Sequence, residues 1–274
     1  MFTTNETTTI HRAELPDNEL RTMAPAVFAQ SPMPGTSIRY SFLPTSRIVD
    51  AMRAEGWKPT DARQSRPRLA ARQGYQLHQV RFQRRDQLAE VDDFAPEVVL
   101  INSHDRSSGY ELHAGLFRFI CRNGMMVSDA VITPIHVRHT GQELPQIIDA
   151  SFKILAQLPV IDGRVASFRS RMLTDAAAME FATNALRLRY PDPALAPIRA
   201  DQLLDVRRSE DAGMDLWSVT NRCQEALLRG GMRDTSRVNR AGKPFRPMRA
   251  IRGLDANVHI NLGIWQLAEA FRQN

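Results

Sequence analysis

The residues best placed to do chemistry fall between Leu100 and Val127, in LINSHDRSSGYELHAGLFRFICRNGMMV. His104 and Asp105 stand side by side in a polar turn, a pairing suited to acid–base or metal chemistry, and His113, His136 and His139 follow on neighbouring extended segments. Metal ligands need defined close spacing, and no HxxxH helix or carboxylate–histidine motif is visible. The plainer reading has Ser103 and Asp105 bonding turn amides while His104 fills a rim position. Cys121 ends an apolar strand just before Arg122, whose charge favours the thiolate, but a nucleophile also needs a base from another segment. An inert buried thiol is the plainer reading there too. Phosphate-binding loops of the Walker or dinucleotide type are missing, and no paired carboxylates of a nuclease site stand out. The chain therefore reads as a non-enzyme with no catalytic residues, no metal and no cofactor.

Positive charge is the stronger signal. Lysine and arginine number 36 against 30 acids, a formal charge of +6, and only Lys58, Lys153 and Lys243 are lysines. The arginine fork grips phosphate at two points, so this bias suits an anionic partner, although a GC-rich coding sequence also favours arginine. Two tracts concentrate it. From Trp57 to Arg85 stand Arg63, Arg66, Arg68, Arg72, Arg81, Arg84 and Arg85, with no acid between Asp61 and Asp86. From Arg229 to Arg252 come Arg229, Arg233, Arg237, Arg240, Lys243, Arg246, Arg249 and Arg252, with Asp234 the single acid. Interleaved with Tyr75, Phe82 and Phe245, such arginines can follow a phosphate backbone while the rings stack unpaired bases, at ~1–3 kcal/mol per base. The competing readings are a solubilising surface or a patch that meets an acidic protein.

The elements that would position these residues read as follows. An arm over 1–19 precedes a short helix from Leu20 to Val27, a loop from Ser31 to Gly35 and a strand from Ser37 to Leu43. A helix runs from Arg47 to Glu55 and stops at Gly56. His78 to Phe82 is extended. Pro96 to Asn102 and Tyr110 to Cys121 form a hairpin through the turn formers of Ser103 to Gly109. Asn123-Gly124 turns into a strand from Met125 to Val127, and Val131 to Arg138 adds a further extended segment. The period then changes to that of helices: Leu144 to Leu158, Val165 to Leu173, and Ala176 to Tyr190 capped by Thr174-Asp175. Pro191 to Pro197 is a linker, 200–228 is helical, 229–252 is a long mobile basic loop, and Asn261 to Arg272 closes the chain as a packing helix. The expected fold is α+β, an antiparallel sheet of consecutive strands with helices against one face and a helical C-terminal part. Its divisions are an arm (1–19), a core domain (20–190) and a C-terminal region (191–274). Two cysteines, an N-terminus without an apolar leader and no run near the ~20 apolar residues of a span point to a soluble cytoplasmic protein away from membranes.

With those residues in view, the chain resembles the YfjQ/YafZ family, the phage- and plasmid-related domain of unknown function numbered 932. The matching pieces are Pro25-Ala26-Val27-Phe28, Tyr40 with Pro44-Thr45, Glu55-Gly56-Trp57, Gln64-Ser65-Arg66, Leu100 to Asp105, Gly115 to Phe119, and Cys121 with Asn123-Gly124. Later come Asp215-Leu216-Trp217, Gln224-Glu225, Gly230-Gly231, and Asn261 with Trp265. The similarity spans about residues 20 to 272. It departs at Arg106, where members often carry glycine, and at Arg122, where threonine is common; both add charge at the central hairpin. Membership implies a home on mobile genetic elements and carries no established activity. A looser likeness of layout, strands followed by a long packed helix with basic surface on both sides, is to Rad52-type single-strand annealing proteins. That likeness implies phosphate contacts from Arg66, Arg72, Arg106, Arg118, Arg122, Arg233, Arg237, Arg240, Lys243 and Arg246. The expectation is a homo-oligomeric protein that binds single-stranded DNA for a mobile element, annealing or protecting it. The alternatives are an anti-defence protein that binds an acidic host protein, and a metal-dependent nuclease or thiol hydrolase built on His104, Asp105 and Cys121.

Overall fold

Five strands follow one another in a meander: β1 (Lys58–Gln64), β2 (His78–Gln83), β3 (Phe94–Asn102), β4 (Tyr110–Arg118) and β5 (Gly124–Val127). The computed structural model describes residues 13–37, 40–67, 69–84, 94–118, 124–128, 132–139, 141–236, 238–239 and 241–273. Every neighbouring pair of strands is antiparallel, as short connections require. A sixth strand, β6 (Ile135–Val137), pairs with the start of β4 through Tyr110↔Val137 and Leu112↔Ile135, beyond the end of β5. The expected hairpin is present, with Leu100 opposite Leu112 and Val99 opposite His113.

Alternation along the strands gives the sheet two buried faces. Val80, Phe82, Val98, Leu100, Leu112, Ala114 and Leu116 join α2 (Thr45–Ala54) and α3 (Glu143–Leu155) in the main core. In α2 the buried side chains Ile48, Val49 and Met52 lie on one stripe, the 3.6-residue pattern that the sequence displays. Val99, Ile101 and Met126 point to the opposite face, where Val258 and Leu262 of α7 (Leu254–Gln273) pack on them. Helices against one face only is thus an expectation to correct: α7 begins at Leu254, seven residues before the predicted Asn261, and those extra turns reach the second face.

The helical part shares the main core with the sheet. α1 (Asp17–Met23), α4 (Leu158–Ser170), α5 (Asp175–Arg189) and α6 (Leu216–Arg229) contribute to one buried cluster that runs from Leu20 to Ala268, across the expected boundary at 190. Thr174 caps α5 by accepting from the Ala177 amide at 3.2 Å, as its sequence position predicts. α6 is the central rod, buried at every position from Leu216 to Leu228. Its polar residues therefore need partners. Gln224 donates to Asn261 Oδ1 at 2.7 Å, and Glu225 takes Arg208 at 2.9 Å and Arg229 at 3.1 Å. Trp265 of α7 meets the edge of Phe168 at 5.1 Å between centroids.

Several elements differ from the sequence expectation. Tyr40 to Leu43 forms no strand: the Ser41 and Leu43 carbonyls accept from His139 and from the Tyr110 hydroxyl, which takes them out of any ladder. β1 carries no strand signal in sequence because Lys-Pro-Thr-Asp-Ala-Arg-Gln shows no apolar alternation, and a register shift between Pro59 and Asp61 accommodates the proline. The helix expected to run to Leu158 ends at Leu155, and α4 starts at Leu158 instead of Val165. By length and composition the stretch Glu143–Ser170 is apolar enough to cross a membrane, contrary to the expected absence of such a run. Ile147, Ile154, Ile161, Val165 and Phe168 of that stretch are buried in the core.

Beyond Arg229, the end of α6, the basic segment to Arg252 contains no helix or strand among its described residues, yet it is pinned. The Gly231 amide donates to Met248 O and the Met248 amide to Met232 O, both at 2.7 Å. Further out, Val238 bridges Pro244 and the Asn239 amide donates to Lys243 O at 2.8 Å. Gly230 (φ +64°) makes the entry possible, since a Cβ there would sit 2.3 Å from Met248 O. At the base, the Arg189 guanidinium at the end of α5 donates to the carbonyls of Leu227 and Arg249. The expected long loop is a tied, nested ribbon.

Candidate nucleic-acid interface

Eight of the ten predicted phosphate contacts separate into three groups, with Arg106 and Arg118 apart from them. Arg233, Lys243 and Arg246 are exposed on the ribbon, together with Arg249 and Arg252, and none of these five has a carboxylate partner among the described residues. The ribbon's acid, Asp234, is 5% exposed and is taken by Arg199 at 3.2 Å, so it does not neutralise them. Arg66 and Arg72 line a separate groove. Arg122, Arg237 and Arg240, like Cys121, lie outside the described residues.

Arg118 needs correction as a contact. It is 4% exposed, pairs with Asp211 at 2.6 Å and lies against the Trp217 ring, so its charge is already used inside the protein. Phe82, expected as a stacking ring, is buried in the core, whereas Tyr75 and Phe245 are half-buried.

Arg106 is exposed and its guanidinium donates to Gly35 O at 3.0 Å. Its backbone has φ +69°, the left-handed region that glycine enters freely and other residues enter at ~1–2 kcal/mol. This explains in physical terms why glycine suits the position. Arg106→Val should cost at least about 1 kcal/mol more stability than Arg106→Gly, because a β-branched side chain tolerates positive φ worst. Urea denaturation of the two variants checks it, and equal midpoints would refute the strain.

The groove has a volume of about 890 Å³ and lies between the β3–β4 turn and the start of α7. Leu77, Ile101 and Val258 give it an apolar floor, while Arg66, Arg72, Asp105, Glu111, Asp255 and His259 surround it. Its acids are largely engaged. Asp105 accepts from the Ser107 amide and hydroxyl and lies 3.5 Å from Arg72, and Glu111 accepts from Ser108 at 2.9 Å and lies 3.3 Å from His113. Those contacts hold the Glu111 carboxyl below its ordinary range, the His113 bond first among them. Gln76 also lines the groove at 3% exposure, and its Oε1 has no hydrogen-bond partner. Sequence reasoning missed Gln76, Val258 and His259, which carry no local signal of a site.

His104 is fully buried, not at the rim. Thr45 Oγ1 lies 2.8 Å from His78 Nε2 and 3.2 Å from His104 Nε2, and Asn102 Nδ2 donates to it at 3.0 Å. His78 Nδ1 sits 3.0 Å from the Gln76 carbonyl and must carry its proton there, so its Nε2 accepts the Thr45 hydroxyl. His104 then donates from Nε2 to Thr45, which leaves its Nδ1 without a partner, as observed. Burial pulls His78 down to about 4 and His104 to about 3, so both rings are neutral at pH 7. His139 stacks between Tyr40 and Tyr110, with centroids 4.3 Å from each, and burial lowers its pKa as well. His113 faces the other side of the sheet. Among the described residues no three His, Cys, Asp or Glu side chains gather as a metal site. Cys223 is buried in α6, and burial raises its thiol to about 12, far from nucleophilic use.

The second sheet face also buries charge. Arg81 on β2 and Glu97 on β3 pair at 2.5 Å, with side chains 4% and 0% exposed, and Gln83 donates to the other Glu97 oxygen at 3.0 Å. Gly124 at the start of β5 makes room for them: a Cβ there would sit 2.4 Å from Arg81 Cζ. Arg81 therefore belongs to the scaffold, although it stands in the first arginine tract.

The chain is 32% identical to UPF0380 protein YafZ of Escherichia coli (strain K12) over 252 residues, covering 92% of this chain and 89% of that protein. It is 31% identical to UPF0380 protein YfjQ of the same organism over 251 residues, with the same coverage. No solved structure matches it. The family model described as Domain of unknown function (DUF932) matches residues 35–265, and the chain belongs to that family.

Proposed function

We propose that the protein binds single-stranded nucleic acid through the ribbon 229–252, most simply DNA of a mobile element that it anneals or protects as an oligomer. The observation that carries this reading is the row of exposed Arg233, Lys243, Arg246, Arg249 and Arg252, five cations without carboxylate partners beside an acid held elsewhere. Cations left without internal partners repel one another, and a polyanion removes that repulsion while releasing its own counterions. Half-buried Phe245 stands among them and offers a ring for base stacking. No covalent chemistry is required.

Fluorescence anisotropy with a labelled single strand at several salt concentrations tests it. Affinity should fall steeply with salt, and Lys243→Ala/Arg246→Ala/Arg249→Ala should flatten the slope of log K against log salt by about 2, at ~0.7 per lost single-strand phosphate contact. The triple variant should fold normally, since exposed substitutions stay within about 0.5 kcal/mol each. Binding that ignores salt, or no binding at low salt, would sink the reading.

A further inference from the structure

The groove beside α7 is separate from the ribbon and holds its own set of recognition groups. Its floor of Leu77, Ile101 and Val258 is apolar. Arg66 at its edge is exposed and has no carboxylate partner among the described residues. The Gln76 side chain is 3% exposed, and no partner is present for its Oε1. A buried amide oxygen without a hydrogen bond is costly, and a primary amide satisfies itself best against a group that offers a donor beside an acceptor. A base with an amino group next to a ring nitrogen does so, and adenine is the usual match for a glutamine amide. The volume, about 890 Å³, is in the range of small-molecule sites.

We propose that this groove binds one nucleotide, with the base on the Leu77, Ile101 and Val258 floor, its edge at Gln76 and its phosphate at Arg66. The choice of a nucleotide over other flat anions rests on the nucleic-acid reading above. The nucleotide can be free or a unit of a bound strand, and the two sources share this chemistry. Of the three acids that line the groove, Asp105 and Glu111 are occupied by Ser107, Arg72, Ser108 and His113, and Asp255 is exposed at the start of α7. The charge of Asp105 and Glu111 is thus partly balanced before an anion arrives.

Titration calorimetry of the full chain with adenosine monophosphate, and with inorganic phosphate as control, tests the proposal. Adenosine monophosphate should bind at least tenfold more tightly than phosphate. Gln76→Met should weaken it at least tenfold while leaving the unfolding midpoint unchanged or higher, since the variant removes a polar group that lacks a partner. Arg66→Ala should weaken it likewise. An oligo(dA) strand separates the sources: a strand-borne nucleotide makes Gln76→Met weaken strand binding too, and a free one leaves it unchanged. The proposal is overturned if adenosine monophosphate binds no better than phosphate, or if Gln76→Met leaves its affinity intact. Failure of the ribbon reading looks different: the wild-type chain would then show no salt-dependent strand binding, whatever the nucleotide titration gives.

Discussion

Glu97→Ala will cost the fold about 3–5 kcal/mol, because it leaves the Arg81 guanidinium charged, enclosed and without its carboxylate. Both side chains are almost completely buried, so water cannot replace the lost partner cheaply. For a protein whose whole stability lies within ~5–15 kcal/mol, that loss is close to unfolding. Urea denaturation followed by circular dichroism measures it. The double variant Arg81→Met/Glu97→Met should recover most of the loss, since it removes the uncompensated charge together with both desolvation costs. If Glu97→Ala alone stays within 1 kcal/mol of wild type, as about the limit for exposed pairs, the pair is solvated and the second face is open to water.

Acid should unfold the protein through its buried histidines. His78 and His104 are neutral in the fold, held down to about 4 and about 3 by burial, while the unfolded chain takes up their protons near 6.5. Below pH 6.5 the unfolded state therefore binds more protons than the folded one, and stability falls as pH falls. Each histidine should contribute a slope of about 1.4 kcal/mol per pH unit between roughly pH 6 and its folded value. Asp105 opposes the shift of His78 slightly, and His139 adds loss in the same direction. Isothermal denaturation at pH 7, about 6 and about 5 reads the slope. In His78→Gln/His104→Gln the slope should be clearly shallower, whatever the starting stability. An unchanged slope would place the acid sensitivity in carboxylates.

Much of the sheet was legible in the residues themselves. Val98 to Ile101 is apolar, Ser103 to Gly109 is built of turn formers, and Thr174-Asp175 announces α5; local rules suffice there because the determinants are neighbours in sequence. β1 was not legible, since its burial comes from the sheet beside it and not from its own pattern. The same limit applies to the charges. Arg81 and Arg118 belong by composition to a basic surface, but Glu97 and Asp211 neutralise them across strands and from the helical region, which only the fold brings together. Gly124 reads as a turn residue and is also needed as space for a guanidinium. Arg106 is the converse case, where a family difference noted in the sequence points to a real backbone constraint. The exposure of Arg233, Arg246, Arg249 and Arg252 was legible because, among the described residues, no carboxylate claims them. Gln76 was not, since its lack of a partner is visible only in three dimensions.

If the ribbon binds a nucleic-acid strand as proposed, its nested ties affect how quickly that strand is captured. Pairing of Met248 with Gly231 and Met232, and of Asn239 with Lys243, closes the segment when the chain folds, and the Arg189 clamp fixes its base. For the described residues of the segment the ordering entropy is thus borne during folding and not at encounter. Association should then be limited by diffusion and charge steering, with rates that rise as salt is lowered and that show no slow concentration-independent phase.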